Sequence, residues 1–433
     1  MKKPVIALFP EASFGSALNC VGIAQQLQHQ GSTPVFLCHP GFNGVFAEYG
    51  FKEYQLPQSA EAQHQNEETW QAFVTAHLKH FNQNPTEQLK TYVGPTWEAI
   101  VDTAIQVEDG LSQLLKRIKP DGIVLDNVIM FPAIANAGVP WIRVVSCAET
   151  EIPDINIPPY LSGMAADDPA RPAFESAYIK TTLPAHKRYN IFRRARGLAA
   201  LPAGQFLETS PHLNLLLAPK SIRYERATPL PEDQFVFLDG CVREEAQFEP
   251  PPLPVNEGPI VYMSFGSLGA IDTDLISRII AVFATIPARF FVNVGEFLES
   301  YQKVPDNVYL GSWFPQPSIV SQADLFIHHG GNNSYCEALH FGVPSLIMPY
   351  CWDGHDNGLR ALQTNTGVNM QRASWTPQEL RQIMTALLND NLMITRMREI
   401  SDKMKKGNGV RDAAVAILNK IPRDKYFNIF TDY

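Results

Sequence analysis

Between Asp324 and Leu339 the chain reads D-L-F-I-H-H-G-G-N-N-S-Y-C-E-A-L, and this stretch restricts the fold more than any other. Asp324-Leu325-Phe326-Ile327 is a short apolar run of the kind a buried parallel strand carries. Gly330-Gly331 lets the backbone turn sharply and brings bare N–H groups close to a ligand. Asn332, Asn333 and Ser334 are N-cap residue types, which predicts a helix running on through Tyr335-Cys336-Glu337-Ala338-Leu339. A helix start of this kind offers free N–H groups and a positive dipole end, a ready site for phosphate. His329 and Ser334 add side-chain donors beside it. One turn further, Glu337 is spaced to accept hydrogen bonds from two neighbouring hydroxyls. Upstream, Trp313 presents a flat ring; downstream, Asp353 follows a second apolar run, Pro344-Ser345-Leu346-Ile347-Met348.

The same alternation of strand and helix runs along both halves of the chain. Val5–Phe9, Pro34–Cys38, Gly122–Asp126 and Trp141–Val145 read as strands. A helix with Leu18, Val21, Ala24 and Leu27 on one face, and a longer one from Trp97 to Ile118, lie between them. Alternation of this kind predicts parallel sheets with helices on both sides. Leu213–Leu217 and Phe235–Leu238 read as the last strands of the first unit. Glu249-Pro250-Pro251-Pro252-Leu253-Pro254 is a stiff linker. The second unit opens with Ile260–Phe265 and the turn Gly266-Ser267-Leu268-Gly269, and carries helices around Leu275–Phe283, Pro377–Leu388 and Val410–Ile421. The expected domains are 1–240, a linker over 241–257, 258–410, and a helix and tail over 411–433 that return towards the first domain, with Tyr426–Phe430 packed there. Residues 59–84 are rich in Gln and His and predict surface helices. The proline-rich segment Cys147–His186 predicts little regular structure; it reads equally well as an acceptor pocket or as a packed surface loop.

Composition excludes several classes. A net charge of -9 argues against nucleic acid, which needs a basic face. No apolar run approaches the ~20 residues of a membrane helix, and Met1–Pro10 is read as a first strand rather than a signal segment. The six cysteines lack C-x-x-C spacing and read as reduced residues of a cytoplasmic protein. Asp272-Thr273-Asp274 reads as helix caps and His328 as a core residue, so no metal site is expected.

The run from Ser312 to Asn357 resembles the donor-binding signature of the family-1, UDP-dependent glycosyltransferases. The matching residues are Trp313, Pro315, Gln316, His329, Gly331, Asn333, Ser334, Glu337, Gly342, Val343, Pro344, Pro349 and Asp353, and so many residue types in one order form a specific signal. The resemblance implies an α/β chain of GT-B fold, with two facing Rossmann-like domains and a donor and acceptor cleft between them. It implies that Trp313 stacks on the uracil, that Glu337 binds the ribose, and that His329, Asn333 and Ser334 hold the diphosphate; Phe314, Gln316, Gly331, Asp353, which is placed to hold sugar hydroxyls, and Gly354 are counted with the donor-binding positions. Gly266 and Ser267 match the turn that approaches the donor phosphates, and Gly15 is counted with the donor-binding positions. The donor is then a co-substrate, and no cofactor is expected. One departure concerns the sugar: the family has Asp-Gln where this chain has Asp353-Gly354, so the residue that helps to read the sugar is missing.

A second departure concerns the base. The family places a histidine after the first strand in a Pro-x-x-x-x-Gly-His pattern. Here the loop reads Pro10-Glu11-Ala12-Ser13-Phe14-Gly15-Ser16, with Ser16 in the histidine's place. The aspartate that orients that histidine matches Asp126. The residues left for acceptor activation are Asp126, with Ser16 as its partner; Glu11 is a second carboxylate in the same loop. The expected activity is inverting transfer of a hexose, glucose in the first instance, from UDP-sugar to a small lipophilic or phenolic acceptor. The alternative is a catalytically impaired UDP-sugar-binding accessory protein of the same fold. A sugar-nucleotide epimerase is disfavoured by the Trp313-to-Asp353 signature. A nicotinamide dehydrogenase is disfavoured because no G-x-G-x-x-G follows either unit's first strand.

Overall fold

The structure is a computed structural model that describes residues 3–39, 41–57, 72, 75–255 and 257–422. Two parallel sheets organise it. The first joins β1 (Val5–Pro10), β2 (Thr33–Cys38), β3 (Lys52–Gln55), β4 (Gly122–Asp126), β5 (Trp141–Val145), β6 (Leu213–Leu216) and β7 (Phe235–Phe237) in the order 3-2-1-4-5-6-7. The second joins β8 (Ile260–Ser264), β9 (Arg289–Asn293), β10 (Val308–Gly311), β11 (Leu325–His328), β12 (Ser345–Ile347) and β13 (Gly367–Asn369) in the order 10-9-8-11-12-13. The inner strands β1, β4, β8 and β11 are apolar and buried along nearly their whole length, because helices cover both faces of each sheet. The chain has the two-domain α/β architecture expected from the alternating pattern.

Strand order reverses between β1 and β4 in the first sheet and between β8 and β11 in the second. Open parallel sheets bind ligands beyond the carboxyl ends of strands at such a switch point. The register there is tight: Pro10 pairs with Asp126, and the Glu11 N–H donates to the Asp126 carbonyl at 2.7 Å.

The longer helices are α1 (Phe14–His29), α2 (Gly94–Ile118), α3 (Arg171–Ala195), α4 (Thr273–Phe283), α5 (Asn332–Phe341), α6 (Asp353–Gln363), α7 (Pro377–Asn389), α8 (Asn391–Lys406) and α9 (Gly409–Lys420). Helix α9 packs back on the first domain, placing Val410, Ala413, Ala414 and Ile417 in one core with Val21, Ala24 and Leu27 of α1. Asp272 caps α4, its carboxylate accepting from the Leu275 N–H at 3.1 Å. Tyr426–Phe430 and most of 59–84 lie outside the described residues. All six cysteines are free. Among the described residues no helix is long and apolar enough to cross a membrane.

Two expectations are corrected. Regular structure does occur within Cys147–His186, where α3 begins and then continues to Ala195 through two prolines. Pro172 lies in the first turn, where a missing N–H costs nothing. Pro184 is exposed, so the Lys180 carbonyl it cannot reach faces solvent. Helix α8 was not read at all, although Met393, Met397, Ile400 and Met404 form a buried stripe at helical spacing and Asp390 caps it.

Candidate functional site

The second sheet builds one wall. After β11 the chain turns at Gly330 (φ +91°) and enters α5 with Gly331 at the N-cap. Asn332, Asn333 and Ser334 therefore lie inside the helix and none of them caps it, contrary to the sequence reading. The Asn332 side chain is committed elsewhere: its amide donates to the Leu217 and Ser146 carbonyls at 2.9 and 3.1 Å, across the cleft in the first domain. The Asn332 N–H donates to Asp353 Oδ2 at 2.8 Å. The N–H groups of Asn333 and Ser334 have no acceptor among the described residues. A helix start without a side-chain cap from its own N-cap residue keeps these two donors and its dipole for an anion.

His329 stands beside this start with its ring stacked on Tyr350, centroids 4.9 Å apart. Burial, aided by the nearby Arg372 cation, pushes its pKa down to about 4, so near neutral pH it acts as a neutral hydrogen-bond donor rather than a cation. Two glycines make room for the ring. A Cβ on Gly331 would come within 2.6 Å of His329 Nε2, and one on Gly266 (φ +68°) within 3.2 Å of Cε1. Ser267 is exposed on the same turn, and Gly15 is exposed across the cleft.

Trp313 is 53% exposed, with the Phe14 ring of the first domain 6.4 Å away. Phe314, expected beside it as a donor contact, instead turns into the core against Tyr262 and Phe248. An apolar ring next to an exposed one gains most by burial, so the two neighbours divide the roles. Gln316 Nε2 donates to Ser334 Oγ at 3.1 Å and to Glu337 Oε2 at 2.7 Å. Arg243, in the linker, donates to Glu337 Oε1 at 3.0 Å. Burial raises the Glu337 pKa, while Arg243 and Gln316 hold it down. Arg243 was not singled out from sequence; a lone arginine in a linker gives no local sign of a partner 94 residues away.

Gly354 occupies the second position of α6. A Cβ there would lie 2.5 Å from the His329 carbonyl oxygen, and one on Gly330 2.7 Å from the Gly354 carbonyl oxygen. The two backbones have closed on the space a side chain would need. Gly354→Gln is therefore expected to destabilise the fold by ~1–3 kcal/mol, the usual range for overpacking. Urea melts check this; an unchanged midpoint contradicts it.

The first sheet builds the opposite wall. Asp126 ends β4 and is 2% exposed. Ser146 Oγ donates to its Oδ1 at 2.6 Å and Asn19 Nδ2 to its Oδ2 at 3.0 Å. The Ser16 hydroxyl lies 3.4 Å from Ser146 Oγ, so Ser16 joins this chain of polar groups. Burial raises the Asp126 pKa to about 6 in spite of these donors. Glu11 is raised to about 7 by burial and then by Asp126 and Asp353. Asp353 is raised to about 7 by burial and by Asp356. Glu151 is raised to about 8 by burial and by Asp353, although Tyr160 donates to it at 3.2 Å. Four acids with raised pKa values thus lie near one another, Glu11, Asp126 and Glu151 from the first domain and Asp353 from the second. Asn19, Ser146 and Glu151 were missed in the sequence because only the fold brings them to Asp126 or Asp353.

Helix α6 ties the two walls together. Asp356 accepts from Thr150 Oγ1 at 2.6 Å and from the Leu161 and Gly163 N–H groups, both at 2.9 Å. His355 Nε2 pairs with Gln88 Oε1 at 2.9 Å, and Arg360 reaches the Ile222 and Arg223 carbonyls. The groups on the two walls are therefore held at a defined separation.

Residues 277–417 match the family model for the Erythromycin biosynthesis protein CIII-like, C-terminal domain. The NDP-glycosyltransferase YjiC of Bacillus subtilis is 26% identical over 221 residues, covering 50% of this chain and 56% of that protein. The chain spans about half the length of the curated relatives it matches. The crystal structure of the glycotransferase of kitacinnamycin superposes over 97% of this chain and 100% of its own, with TM-score 0.70 and 18% identity. That of glycosyltransferase VinC in complex with DTDP covers 97% of this chain and 100% of its own, with TM-score 0.64 and 16% identity. With its Trp313-to-Asp353 signature and two parallel-sheet domains of GT-B fold, the chain is similar to the family-1 glycosyltransferases.

Proposed function

We propose that this chain transfers a hexose, glucose or a close relative, from UDP-sugar to a hydroxyl of a small lipophilic or phenolic acceptor, with inversion at the anomeric carbon. One observation carries the reading: an uncapped helix start flanked by His329 faces a buried carboxyl, Asp126, held by Ser146 and Asn19. The diphosphate lies against the Asn333 and Ser334 N–H groups and His329. Trp313 stacks on the base, and Glu337 accepts from the ribose through lone pairs that Arg243 and Gln316 leave free.

In the reaction, the Asp126 carboxylate takes the proton of the acceptor hydroxyl. The acceptor oxygen forms a bond to the anomeric carbon as the bond from that carbon to the diphosphate oxygen breaks. The electron pair of that bond leaves on UDP, whose growing charge meets the helix start. Ser16 positions the acceptor. No cofactor and no metal ion take part; the helix dipole and N–H donors do what a divalent cation does elsewhere. UDP should therefore raise the melting temperature equally in EDTA and in magnesium, since a ligand bound only by the folded state stabilises it. A shift that appears only with metal contradicts this.

A second reading is a dTDP-linked deoxysugar donor. Arg243 and Gln316 already engage both Glu337 oxygens, which weakens the demand for two ribose hydroxyls. The related VinC structure holds DTDP. Parallel melts with UDP- and dTDP-sugars discriminate between the two.

A further inference from the structure

We propose that the outer face of α3, with the loop that follows it, docks on an anionic lipid surface. The inner side of this helix is ordinary core: Phe174, Tyr178, Ala185, Tyr189 and Phe192 are buried. The outer side is not an ordinary solvated face. Ile179, Leu183 and Ile191 are 38%, 37% and 62% exposed, and Lys180, Lys187 and Arg194 are exposed among them. At 3.6 residues per turn these six positions fall within about 120° of the helix circumference.

The apolar surface continues off the helix. The loop Leu198-Ala199-Ala200-Leu201-Pro202-Ala203 exposes Ala199, Ala200, Pro202 and Ala203. It abuts α3, since a Cβ on Gly204 would come 2.9 Å from Ile179 Cγ1. Asn190 clamps Leu201 through its N–H and carbonyl at 2.9 and 3.1 Å, and Arg193 Nε donates to the Ala199 carbonyl at 2.9 Å. These bonds spend the loop's polar backbone on the helix and leave its side chains outside. Single exposed apolar residues need no explanation, but a contiguous patch on a helix and a braced loop does.

Charge names the occupant. Arg171, Arg188, Arg193 and Arg196 on the same helix and its end are each paired with a carboxylate. Lys180, Lys187 and Arg194 have no ion pair among the described residues, and no position of the face or loop is acidic. A chain of net charge -9 thus sets three unpaired cations among aliphatic side chains on one face. Interfacial helices show this mixture, with cations reaching anionic headgroups and aliphatic groups entering the boundary below them. A second copy of the face would set like charges opposite one another. Docking would also bring the first domain's cleft, lined by Tyr178 and Tyr160 beneath α3, close to a source of lipophilic acceptors.

The test is flotation of the full chain with phosphatidylcholine vesicles, with and without phosphatidylglycerol. The expected result is binding only with phosphatidylglycerol, released by high salt. The combined Lys180→Glu, Lys187→Glu, Arg194→Glu variant should lose vesicle partitioning by about fivefold or more per charge. Ile191→Ser should weaken binding at low salt. An unchanged melting temperature shows that each variant is folded, and Lys→Gln replacements at 180 and 187 serve if the reversal is not. The proposal is overturned by no flotation at low salt, by equal binding to neutral vesicles, by binding that ignores the charge reversal, or by a dimer that Ile191→Ser disrupts without vesicle binding. None of these outcomes depends on the donor or acceptor chemistry.

Discussion

Asp126→Asn is expected to lower turnover by ~10²–10⁴-fold, the usual contribution of a positioned general base, while UDP affinity stays unchanged. The substitution keeps the side chain's shape and one accepting oxygen, so loss of activity reports loss of basicity rather than collapse of the site. Asp126 is a usable base because burial raises its pKa to about 6. An exposed aspartate, near ~3.9, would hold a proton far too weakly. Activity should accordingly fall as pH drops below about 6, when the carboxylate becomes protonated. Glu11, raised to about 7, is the rival within the same loop. If Glu11→Gln abolishes turnover and Asp126→Asn does not, the base is Glu11. Phenols should outperform aliphatic alcohols, because they need less help to lose a proton, and Ser16→His should narrow that gap by restoring an imidazole beside Asp126.

The second large effect falls on stability as well as on binding. Glu337→Ala is expected to destabilise the fold by up to ~3–5 kcal/mol, because it strands a buried guanidinium. The Arg243 and Glu337 side chains are 2% and 1% exposed. Glu245, 2.5 Å from Arg243 Nε, retains part of the compensation, so the loss should lie towards the lower end of that range. UDP binding should weaken in addition by ~1.5–3 kcal/mol, the range for a hydrogen bond to a charged group. Replacing both partners, as Arg243→Met with Glu337→Leu, should recover much of the stability without recovering UDP affinity. That separation is the check, read from urea melts and calorimetry on the three variants. Equal stability of Glu337→Ala and the parent contradicts the account of the pair.

Most strands were legible because inner parallel strands are buried on both faces and read as apolar runs. The surroundings of the α5 start were legible because most of their residues lie within 46 consecutive positions, from Ser312 to Asn357. What escaped has physical reasons. Helix α3 was hidden by prolines that its first turn and its solvent side tolerate. Phe314 was misplaced because sequence does not reveal which of two adjacent aromatic rings turns inward. The holders of Asp126, Asn19 and Ser146, come from α1 and from the end of β5, 107 and 20 residues away. Arg243 in the linker and the α6 latch at Asp356 act on partners far away in the sequence, which local periodicity does not encode. Gly354 was legible as a missing glutamine, but only the structure reveals that the His329 backbone has taken the space.

The most direct test of the central claim is release of UDP from UDP-glucose by the purified chain in EDTA, measured against increasing phenolic acceptor. The account predicts release that rises with acceptor to saturation, yields an equal amount of glycosylated phenol and disappears in Asp126→Asn. Release that ignores the phenol, or none at all from a chain that binds UDP normally, would contradict it.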